Sequence, residues 1–330
     1  MESVRITSLS LEYFRGIRKG KVEDLSQVNV FVGPNNSGKS SILFAVYLFS
    51  GLLGRGWKRF PSYTQYNVQD FGENVHTVIF NQDGNAVGMV PYEISRYFFY
   101  KYDASYPLQI QIEMDSGNYK FILRKEERAK SIRATPKSVS LFFSQTRMIF
   151  AIEDPQKPEE IFYEVLLQKN LDKVLYHLLQ KVFHLPVEYL TYTPNQILLL
   201  KLTDRSIRFE DLGDGAKRTM RMLFTAAAAA KGALLLEEPE NHQHPRSLQE
   251  SIRALLTAAK DLDIQIFATT HSRECLVAFH EEAKRQGLEA RFFYTRLHEN
   301  DELEVISVTP EGLDAFEEMG LDLRYYGSQD

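Results

Sequence analysis

The glycine-rich stretch at residues 33–40, "GPNNSGKS", constrains the fold more than any other part of the chain. It fits the pattern G-x-x-x-x-G-K-[ST] at every fixed position. The run "VNVFV" before it is rich in β-formers, and the chain after Ser40 loses turn residues and has the composition of a helix. Because a glycine loop between a strand and a helix is the setting in which this pattern holds phosphate, the sequence predicts a phosphate-binding loop.

Each residue type in this loop suits the binding of a triphosphate. Glycines let successive backbone N–H groups converge on phosphate oxygens, and the helix N-terminus adds partial positive charge. We expect Lys39 to bridge the β- and γ-phosphates and Ser40 to ligate Mg²⁺. The residues predicted to bind nucleotide in this motif are Gly33, Pro34, Asn35, Asn36, Ser37, Gly38, Lys39, Ser40 and Ser41.

Two later apolar runs end in residues that suit phosphate hydrolysis. "ALLLEEPE" places Glu237 in the outer of the two ligand shells around a metal ion and Glu238 where it can align or deprotonate the attacking water. "IQIFATTHS" ends with His271, which can hydrogen-bond a γ-phosphate. The alternatives are a solvated acidic turn and an ordinary polar histidine. His242 and His244, which follow the glutamates, also leave a zinc site open as an interpretation.

Composition limits the partners and the location of the chain. Its 330 residues are 44% hydrophobic, which is enough for a sizeable core, and 39 basic against 44 acidic residues give a net charge of −5. Any contact with nucleic acid must therefore come from a local patch. Cys275 is the only cysteine, so no internal disulfide forms. With no signal-type N-terminus and no apolar run of the ~20 residues a spanning helix needs, we expect a cytoplasmic protein without a membrane segment.

Hydrophobic periodicity divides the chain into four parts. Residues 1–57 hold the first strand, the phosphate loop and its helix, and residues 58–150 carry antiparallel signals such as the hairpin pattern "PLQIQIEMDSGNYKFILRK". Residues 158–190 have the apolar spacing of a helical segment. Residues 197–330 alternate strand and helix again, in the order "QILLLKL", an alanine-rich helix to Lys231, "ALLLE", a helix, "IQIFATT", a helix and a final hairpin.

Four motifs in this order and spacing resemble those of one family of ATPases. "GPNNSGKS", "FEDLGDGAKR", "LLLEEPENHQHP" and "FATTHS" are similar to the motifs of ABC-type ATPases of the overcoming-lysogenization-defect (OLD) group and its RecF-type and SMC-type relatives. The resemblance covers most of residues 1–50 and 205–280. It implies an α/β fold, a P-loop NTPase of ABC type with a mixed or parallel core sheet, an antiparallel β-lobe and an inserted helical segment, in one ATPase domain over residues 1–330.

The resemblance also gives a role to the turn at residues 212–216, "LGDGA". In the family this signature motif contacts the γ-phosphate held by the opposite subunit, so Gly213, Asp214 and Gly215 are implied to complete the nucleotide site of a partner copy. ATP would then hold together a head-to-tail homodimer. Two positions depart from the family pattern, for which we expect slow hydrolysis: Gly213 stands where many members have serine, and Glu237 where aspartate is usual.

Further site residues follow from the same resemblance. The opening "SLEYFRGI" implies that Arg15 approaches the adenine. A glutamine that ligates Mg²⁺ should lie between the phosphate loop and the signature, and Gln69 is preferred over Gln65 and Gln82 because it precedes an aromatic-glycine turn. ATP and Mg²⁺ are the cofactors implied.

The predicted function is an ATPase switch for a separate effector, DNA-directed or active in phage defence. No Asp-x-Asp pair of a Toprim nuclease follows Ser272, so we expect the ATPase without the nuclease. The alternatives are the nucleotide-binding subunit of a membrane transporter, a RecF-like DNA repair ATPase and a non-hydrolysing scaffold. The basic stretch at residues 124–137 either contacts DNA or is a solvated hairpin tip. The aromatic stretch at residues 92–106 either stacks on bases or is a buried strand.

Overall fold

Twelve of the strands in the described part of the chain form one large sheet. A computed structural model describes residues 4–50, 76–80, 86–91, 101, 108–115, 117–126, 146–149, 163, 165–195 and 197–326. The strands are β1 (Ile6–Phe14), β2 (Ile17–Val22), β3 (Val28–Val32), β4 (His76–Phe80), β5 (Ala86–Pro91), β6 (Leu108–Met114), β7 (Gly117–Glu126), β8 (Arg147–Ile149), β9 (Val187–Tyr192), β10 (Leu198–Leu202), β11 (Ser206–Arg208), β12 (Ala233–Glu237), β13 (Gln265–Thr269), β14 (Ala290–Leu297) and β15 (Glu302–Val308). The helices are α1 (Lys39–Ser50), α2 (Leu171–Phe183), α3 (Asp214–Ala228), α4 (Pro245–Asp261), α5 (Arg273–Gln286) and α6 (Pro310–Glu318), with short 3₁₀ helices at Phe209–Asp211 and Leu323–Tyr325.

The strand order of the large sheet is β5-β4-β7-β6-β1-β2-β15-β14-β3-β13-β12-β8, and its centre is parallel. β3 lies between β13 and β14 and is parallel to both, β12 is parallel to β13, and β8 is parallel to β12. Every residue of β3 and β13 is buried, as expected for parallel strands that are covered on both faces. Strands that run in one direction end at one edge of the sheet, so the residues after β3, β12 and β13 are brought together there.

The antiparallel part of the sheet continues this core rather than forming a separate layer. β1 pairs with β2 and β6, β6 pairs with β7, and β4 lies between β7 and β5, all antiparallel. A parallel pair between β2 and β15 joins this part to the core. The predicted hairpin is present, with Met114 opposite Gly117 across the turn. The predicted mixed α/β class with an antiparallel β-lobe is thereby confirmed.

Two hydrophobic clusters pack on opposite faces of the core strands. Neighbouring residues of a strand point to opposite faces. Val30 therefore belongs to the cluster that includes residues of α2 to α5, and Phe31 belongs to the cluster that includes residues of α1 and the antiparallel strands. Phe31 stacks on Phe293 of β14, with ring centroids 4.8 Å apart. Both clusters hold β3 in place, and with it the start of the phosphate loop.

The helices after the core strands begin at local capping residues. The Ser272 hydroxyl accepts a hydrogen bond from the Cys275 N–H at 3.1 Å at the start of α5, and α4 has Pro245 in its first turn. The alanine-rich helix α3 is shorter than expected and ends at Ala228 rather than Lys231. Among the helices in the described ranges, none combines the length and apolarity that crossing a bilayer requires.

The strand predicted at "QILLLKL" is present as β10. It lies outside the large sheet and pairs antiparallel with β9 and β11 in a separate sheet of three strands. Its residues alternate between buried and partly buried, which is the pattern of a strand with one covered face. The described part of the predicted helical segment contains α2, whose buried leucines pack in the same cluster as β10. The end of that segment is not helical, since residues 187–190 belong to β9, and residues 158–162 and 164 lie outside the described residues.

Candidate functional site

Three motifs that are far apart in sequence meet at one edge of the sheet. β3 leads into the phosphate loop, β12 ends at Glu237, and β13 ends two residues before His271. The parallel register places Glu237 beside Thr269, and Thr269 beside Phe31 of β3. This shared edge brings the predicted phosphate-binding, metal-binding and catalytic residues into one site.

Two glycines of the phosphate loop are required by close approach and by backbone conformation. Gly33 has φ 141°, and a Cβ there would lie 2.3 Å from the backbone oxygen of Thr295. Gly38 has φ 92°, and a Cβ would lie 2.9 Å from Leu303 Cδ1. Both positive φ values disfavour side chains, so the loop needs glycine at these positions in order to pack against β14 and β15.

Thr295 is a loop-supporting residue that sequence reasoning missed. Its hydroxyl oxygen lies 2.7 Å from the Ser37 hydroxyl and donates to the Val32 carbonyl at 3.2 Å. Thr295 is fully buried, and it connects β14 to both ends of the turn. The only signal in the sequence is a threonine inside the aromatic run "ARFFYTRL".

Lys39 lies inside the loop, with its ammonium group held by neutral oxygens. Its Nζ donates to the Gly33 carbonyl at 2.9 Å, to the Pro34 carbonyl at 2.7 Å and to the Ser37 hydroxyl at 3.4 Å. Burial lowers the pKa of Lys39 to about 8, although the nearby charge of Glu238 acts in the opposite direction. A phosphate group in the loop would supply the anionic partner that favours the charged ammonium.

This lowered pKa predicts that ATP binding weakens at alkaline pH. Above about pH 8 the free Lys39 is largely neutral, and a bound triphosphate should restore its proton, so binding takes up a proton there. We expect the Kd for ATP to be flat below this pH and to rise by up to about tenfold per pH unit above it. Isothermal titration calorimetry in two buffers of different ionisation enthalpy measures both quantities. A Lys39→Arg chain, whose guanidinium stays charged, should show no such rise, and a flat Kd in the unmodified chain would contradict the prediction.

The two predicted metal ligands from separate motifs contact each other. The Ser40 hydroxyl donates to Glu237 Oε1 at 2.6 Å. A hydroxyl and a carboxylate oxygen at this separation suit Mg²⁺, which prefers oxygen ligands and keeps several waters, so these residues fit the ion. Gln69, the third predicted ligand, lies outside the described residues, as do Gln65 and Gln82.

No zinc site is found in the described part of the chain. Among the residues the structure describes, His, Cys, Asp and Glu side chains form no group of three or more that would hold a metal ion. His242 and His244 are exposed in the turn that precedes α4, and the His244 ring accepts a hydrogen bond from the Arg246 N–H at 3.3 Å. His244 therefore serves as a helix cap.

Glu238 follows the strand in a conformation that few non-glycine residues adopt. Its φ is 46°, and its N–H donates to the Thr269 carbonyl at 3.0 Å. This turn of the chain lets adjacent glutamates serve one site, although neighbouring residues of a regular strand face opposite ways. The Glu238 carboxylate accepts from Asn241 Nδ2 at 3.1 Å, and its Oε1 lies 3.6 Å from His271 Nε2. Strain of this kind is common where a catalytic group must be aimed.

His271 is exposed at the site and favours the neutral form. Partial burial is the main cause that lowers its pKa, and the charges of Lys39 and Arg324 add to it, whereas Glu238 and Glu240 act to raise the pKa. A neutral imidazole carries one N–H donor and one acceptor nitrogen. It can therefore donate to a phosphate oxygen.

Arg218 of α3 is a second residue that sequence reasoning missed. It is buried, and its Nη2 donates to the Glu237 carbonyl at 3.0 Å and to the Glu238 carbonyl at 3.4 Å. A charged donor on these carbonyls supports the turn that aims the two carboxylates. Its signal in the sequence is its place as the last residue of the motif "FEDLGDGAKR".

The predicted signature turn lies at the surface, at the N-terminus of α3. Gly213 is the N-cap residue, with φ −64°, and both Gly213 and Asp214 are exposed. Asp214 pairs with Lys217 at 3.0 Å, and a Cβ on Gly215 would lie 3.2 Å from the His242 carbonyl oxygen. The turn is therefore open to a second molecule and adjoins the segment that follows Glu238.

Arg15 lies beside the helix that follows the phosphate loop. Its guanidinium is 4.5 Å from the centre of the Phe44 ring of α1, and its carbonyl accepts from the Lys101 N–H at 3.1 Å. Its predicted contact with adenine stays a prediction. The aromatic stretch at 92–106, apart from Lys101, and residues 127–137 of the basic stretch lie outside the described residues.

Known proteins resemble this chain in sequence and in fold. The chain is 22% identical, over 340 aligned positions, to a protein of Helicobacter pylori named ATP/GTP phosphatase. The alignment covers 82% of this chain and 86% of that protein. It is 28% identical over 113 positions to the uncharacterized protein MJECL11 of Methanocaldococcus jannaschii, covering 34% of this chain and 99% of that one. A solved SMC head bound to the C-winged helix domain of ScpA superposes with a TM-score of 0.51 at 14% identity, over 93% of this chain and 98% of the other, which shows a shared fold.

A family model extends over most of the chain. The model described as the AAA ATPase domain matches residues 5–77 and 74–276, and thus includes the phosphate loop, the signature turn, both glutamates and His271. The matched residues hold all three strand ends that meet at the site. This chain belongs to the AAA ATPase domain family.

Proposed function

We propose that the chain binds and hydrolyses ATP, and that two copies close head-to-tail around two ATP molecules as a switch for a separate effector. The observation that carries the proposal is the meeting of the phosphate loop, Glu237, Glu238 and His271 at one sheet edge. The phosphate loop supplies binding, the two glutamates supply oxygen ligands and a base, and the histidine supplies a donor. These are the parts that phosphoryl transfer to water needs.

Each of these residues has a defined task in the proposed reaction. Lys39 and the loop amides bind the β- and γ-phosphates. Mg²⁺, which Ser40, Glu237 and Gln69 would hold, supplies charge neutralisation between those phosphates when it is bound. Glu238 accepts a proton from the attacking water as that water bonds to the γ-phosphorus and the bond to the bridging oxygen of ADP breaks. His271 donates to a γ-phosphate oxygen, and the products are ADP and inorganic phosphate.

The dimer is supported by the position of the signature turn. Gly213 and Asp214 are exposed at a helix N-terminus, where amide groups and partial positive charge favour an anion. Because Gly213 has no hydroxyl, the turn can contact a partner's γ-phosphate only through its backbone. DNA-directed work and phage defence are the proposed settings of the effector, in keeping with the resemblance to the OLD and RecF groups.

Replacing Gly213 with arginine tests the dimer. A Cβ at this position meets nothing within 4 Å, and the φ is ordinary, so the Gly213→Arg chain should fold and bind ATP as the unmodified chain does. In the proposed dimer the new side chain lies against the partner's nucleotide and blocks the contact. We therefore expect no ATP-dependent dimer in light scattering and turnover lower by about 100-fold.

The matched control places the same side chain at the opposite edge of the sheet. Glu289 is exposed and precedes β14, so a Glu289→Arg chain should dimerise and hydrolyse ATP normally. Normal dimerisation and turnover in the Gly213→Arg chain would show that the turn at 212–216 takes no part in a shared site.

A further inference from the structure

The main chain of His271 is held from both sides by side chains of distant segments. Its N–H donates to Glu240 Oε1 at 3.1 Å, and its carbonyl accepts from Arg324 Nη1 at 2.9 Å. Glu240 lies two residues after Glu238, and Arg324 belongs to the last described turn of the chain. His271 itself contributes only backbone atoms to these bonds, so its imidazole remains available to the site.

Glu240 gathers three donors on one carboxylate oxygen. Besides the His271 N–H, its Oε1 accepts from the Thr270 hydroxyl at 2.6 Å and from the Ser272 N–H at 3.3 Å. Hydrogen bonds to an ionised acceptor are roughly twice as strong as those between neutral groups. Glu240 therefore fixes the whole bend from β13 into α5, and it connects that bend to the segment that carries Glu238.

Arg324 is fixed before it reaches His271. Its Nε donates to both carboxylate oxygens of Asp322 at 3.0 Å, and its N–H donates to Asp322 Oδ1 at 3.0 Å. Leu323, between them, is 1% exposed and anchors the turn in the core. The orientation of the guanidinium is thus set by Asp322, which leaves Nη1 directed at the His271 carbonyl.

We propose that Glu240 and Arg324 are positioning residues that hold His271 for the hydrolytic step, an inference that rests on the proposed function. Together they fix the backbone on both sides of the imidazole and so hold Nε2 3.6 Å from Glu238 Oε1. In the described structure their hydrogen bonds go to residues 270–272, Cys275 and Asp322 rather than to Lys39, Ser40 or Glu237. Loss of either residue should therefore lower turnover and leave ATP binding in place.

The first test separates kcat from binding. For Arg324→Ala and Glu240→Ala we expect kcat to fall by about 10- to 100-fold, since small displacements of a catalytic group have effects of this size, while the Kd for ATP changes by less than about twofold. Added guanidinium should restore part of the turnover of Arg324→Ala, and Glu240→Gln, which keeps an acceptor oxygen, should retain most of it. Arg285→Ala is the matched control, because it removes an arginine paired with Glu282 within α5. Unchanged kcat, or a parallel rise in Kd, would overturn the proposal.

A second measurement does not depend on turnover. Hydrogen–deuterium exchange of the nucleotide-free protein should show faster exchange of the His271 and Ser272 amides in Glu240→Ala than in the unmodified chain, with Glu240→Gln close to normal. Normal protection of the His271 and Ser272 amides in Glu240→Ala would overturn the proposal, whether or not its thermal stability changes. If the unmodified chain binds ATP without turnover while the exchange result holds, the proposed hydrolysis fails and the positioning of His271 stands.

Discussion

Replacing Lys39 with alanine is expected to abolish ATP turnover and to weaken ATP binding by about 2 to 5 kcal/mol, or about 30-fold to several thousand-fold in Kd. Lys39 is the buried cation at the centre of the phosphate loop, and its Nζ is within 2.9 Å of two loop carbonyls. A triphosphate brought into the loop without it would face those carbonyls with no compensating charge. Binding is therefore expected to weaken because both the positive charge and the hydrogen-bond donors of Lys39 are lost.

Folding should survive this substitution. The lowered pKa of Lys39 means that burial makes the charged ammonium unfavourable in the nucleotide-free fold at neutral pH, so alanine removes a cost together with the hydrogen bonds. We expect the Tm to change by less than about 4 °C. Calorimetric titration with ATP and a phosphate-release assay measure the two effects. Lys260→Ala, which removes an exposed lysine at the end of α4, is the control and should behave as the unmodified chain. Undiminished binding in Lys39→Ala would place the triphosphate elsewhere.

Replacing Glu238 with glutamine is expected to reduce turnover by about 100- to 10,000-fold and to leave ATP binding intact. Glutamine has the same shape and can still accept from Asn241 Nδ2, which lies 3.1 Å from the carboxylate, but it cannot take a proton from water. It also removes a negative charge close to Lys39, which favours a bound triphosphate. ATP should therefore remain uncleaved between two copies of the chain.

Light scattering after size exclusion measures this result directly. With saturating ATP and Mg²⁺ the Glu238→Gln chain should run as a dimer, and with ADP as a monomer. A Lys39→Ala, Glu238→Gln double variant at the same ATP concentration should form much less dimer, because its ATP binding is weakened. Glu281→Gln, an exposed change in α5, serves as the control for loss of one negative charge. A Glu238→Gln chain that hydrolyses ATP at the normal rate, or stays monomeric with saturating ATP, would contradict the assigned role.

The structural features that depend on neighbouring residues could be predicted from the sequence. The phosphate loop, the hairpin that closes between Met114 and Gly117, and the apolar strands that end at Glu237 and Thr269 each depend on residues within one short segment. The placement of "QILLLKL" was not readable, because a short apolar strand has the same composition in a core sheet and in a separate small sheet.

The sequence by itself determined where the three core strands end and which polar residues follow them, because turns, helix starts and apolar runs depend on neighbours along the chain. Only the tertiary structure decided what supports them. Thr295 against Ser37 is a contact across 258 residues, Arg218 reaches carbonyls 19 and 20 residues away, and Arg324 meets His271 across 53 residues. Such contacts depend on strand order and on the packing of helices against the sheet, which no local pattern specifies, and they decide how the carboxylates and the imidazole are aimed.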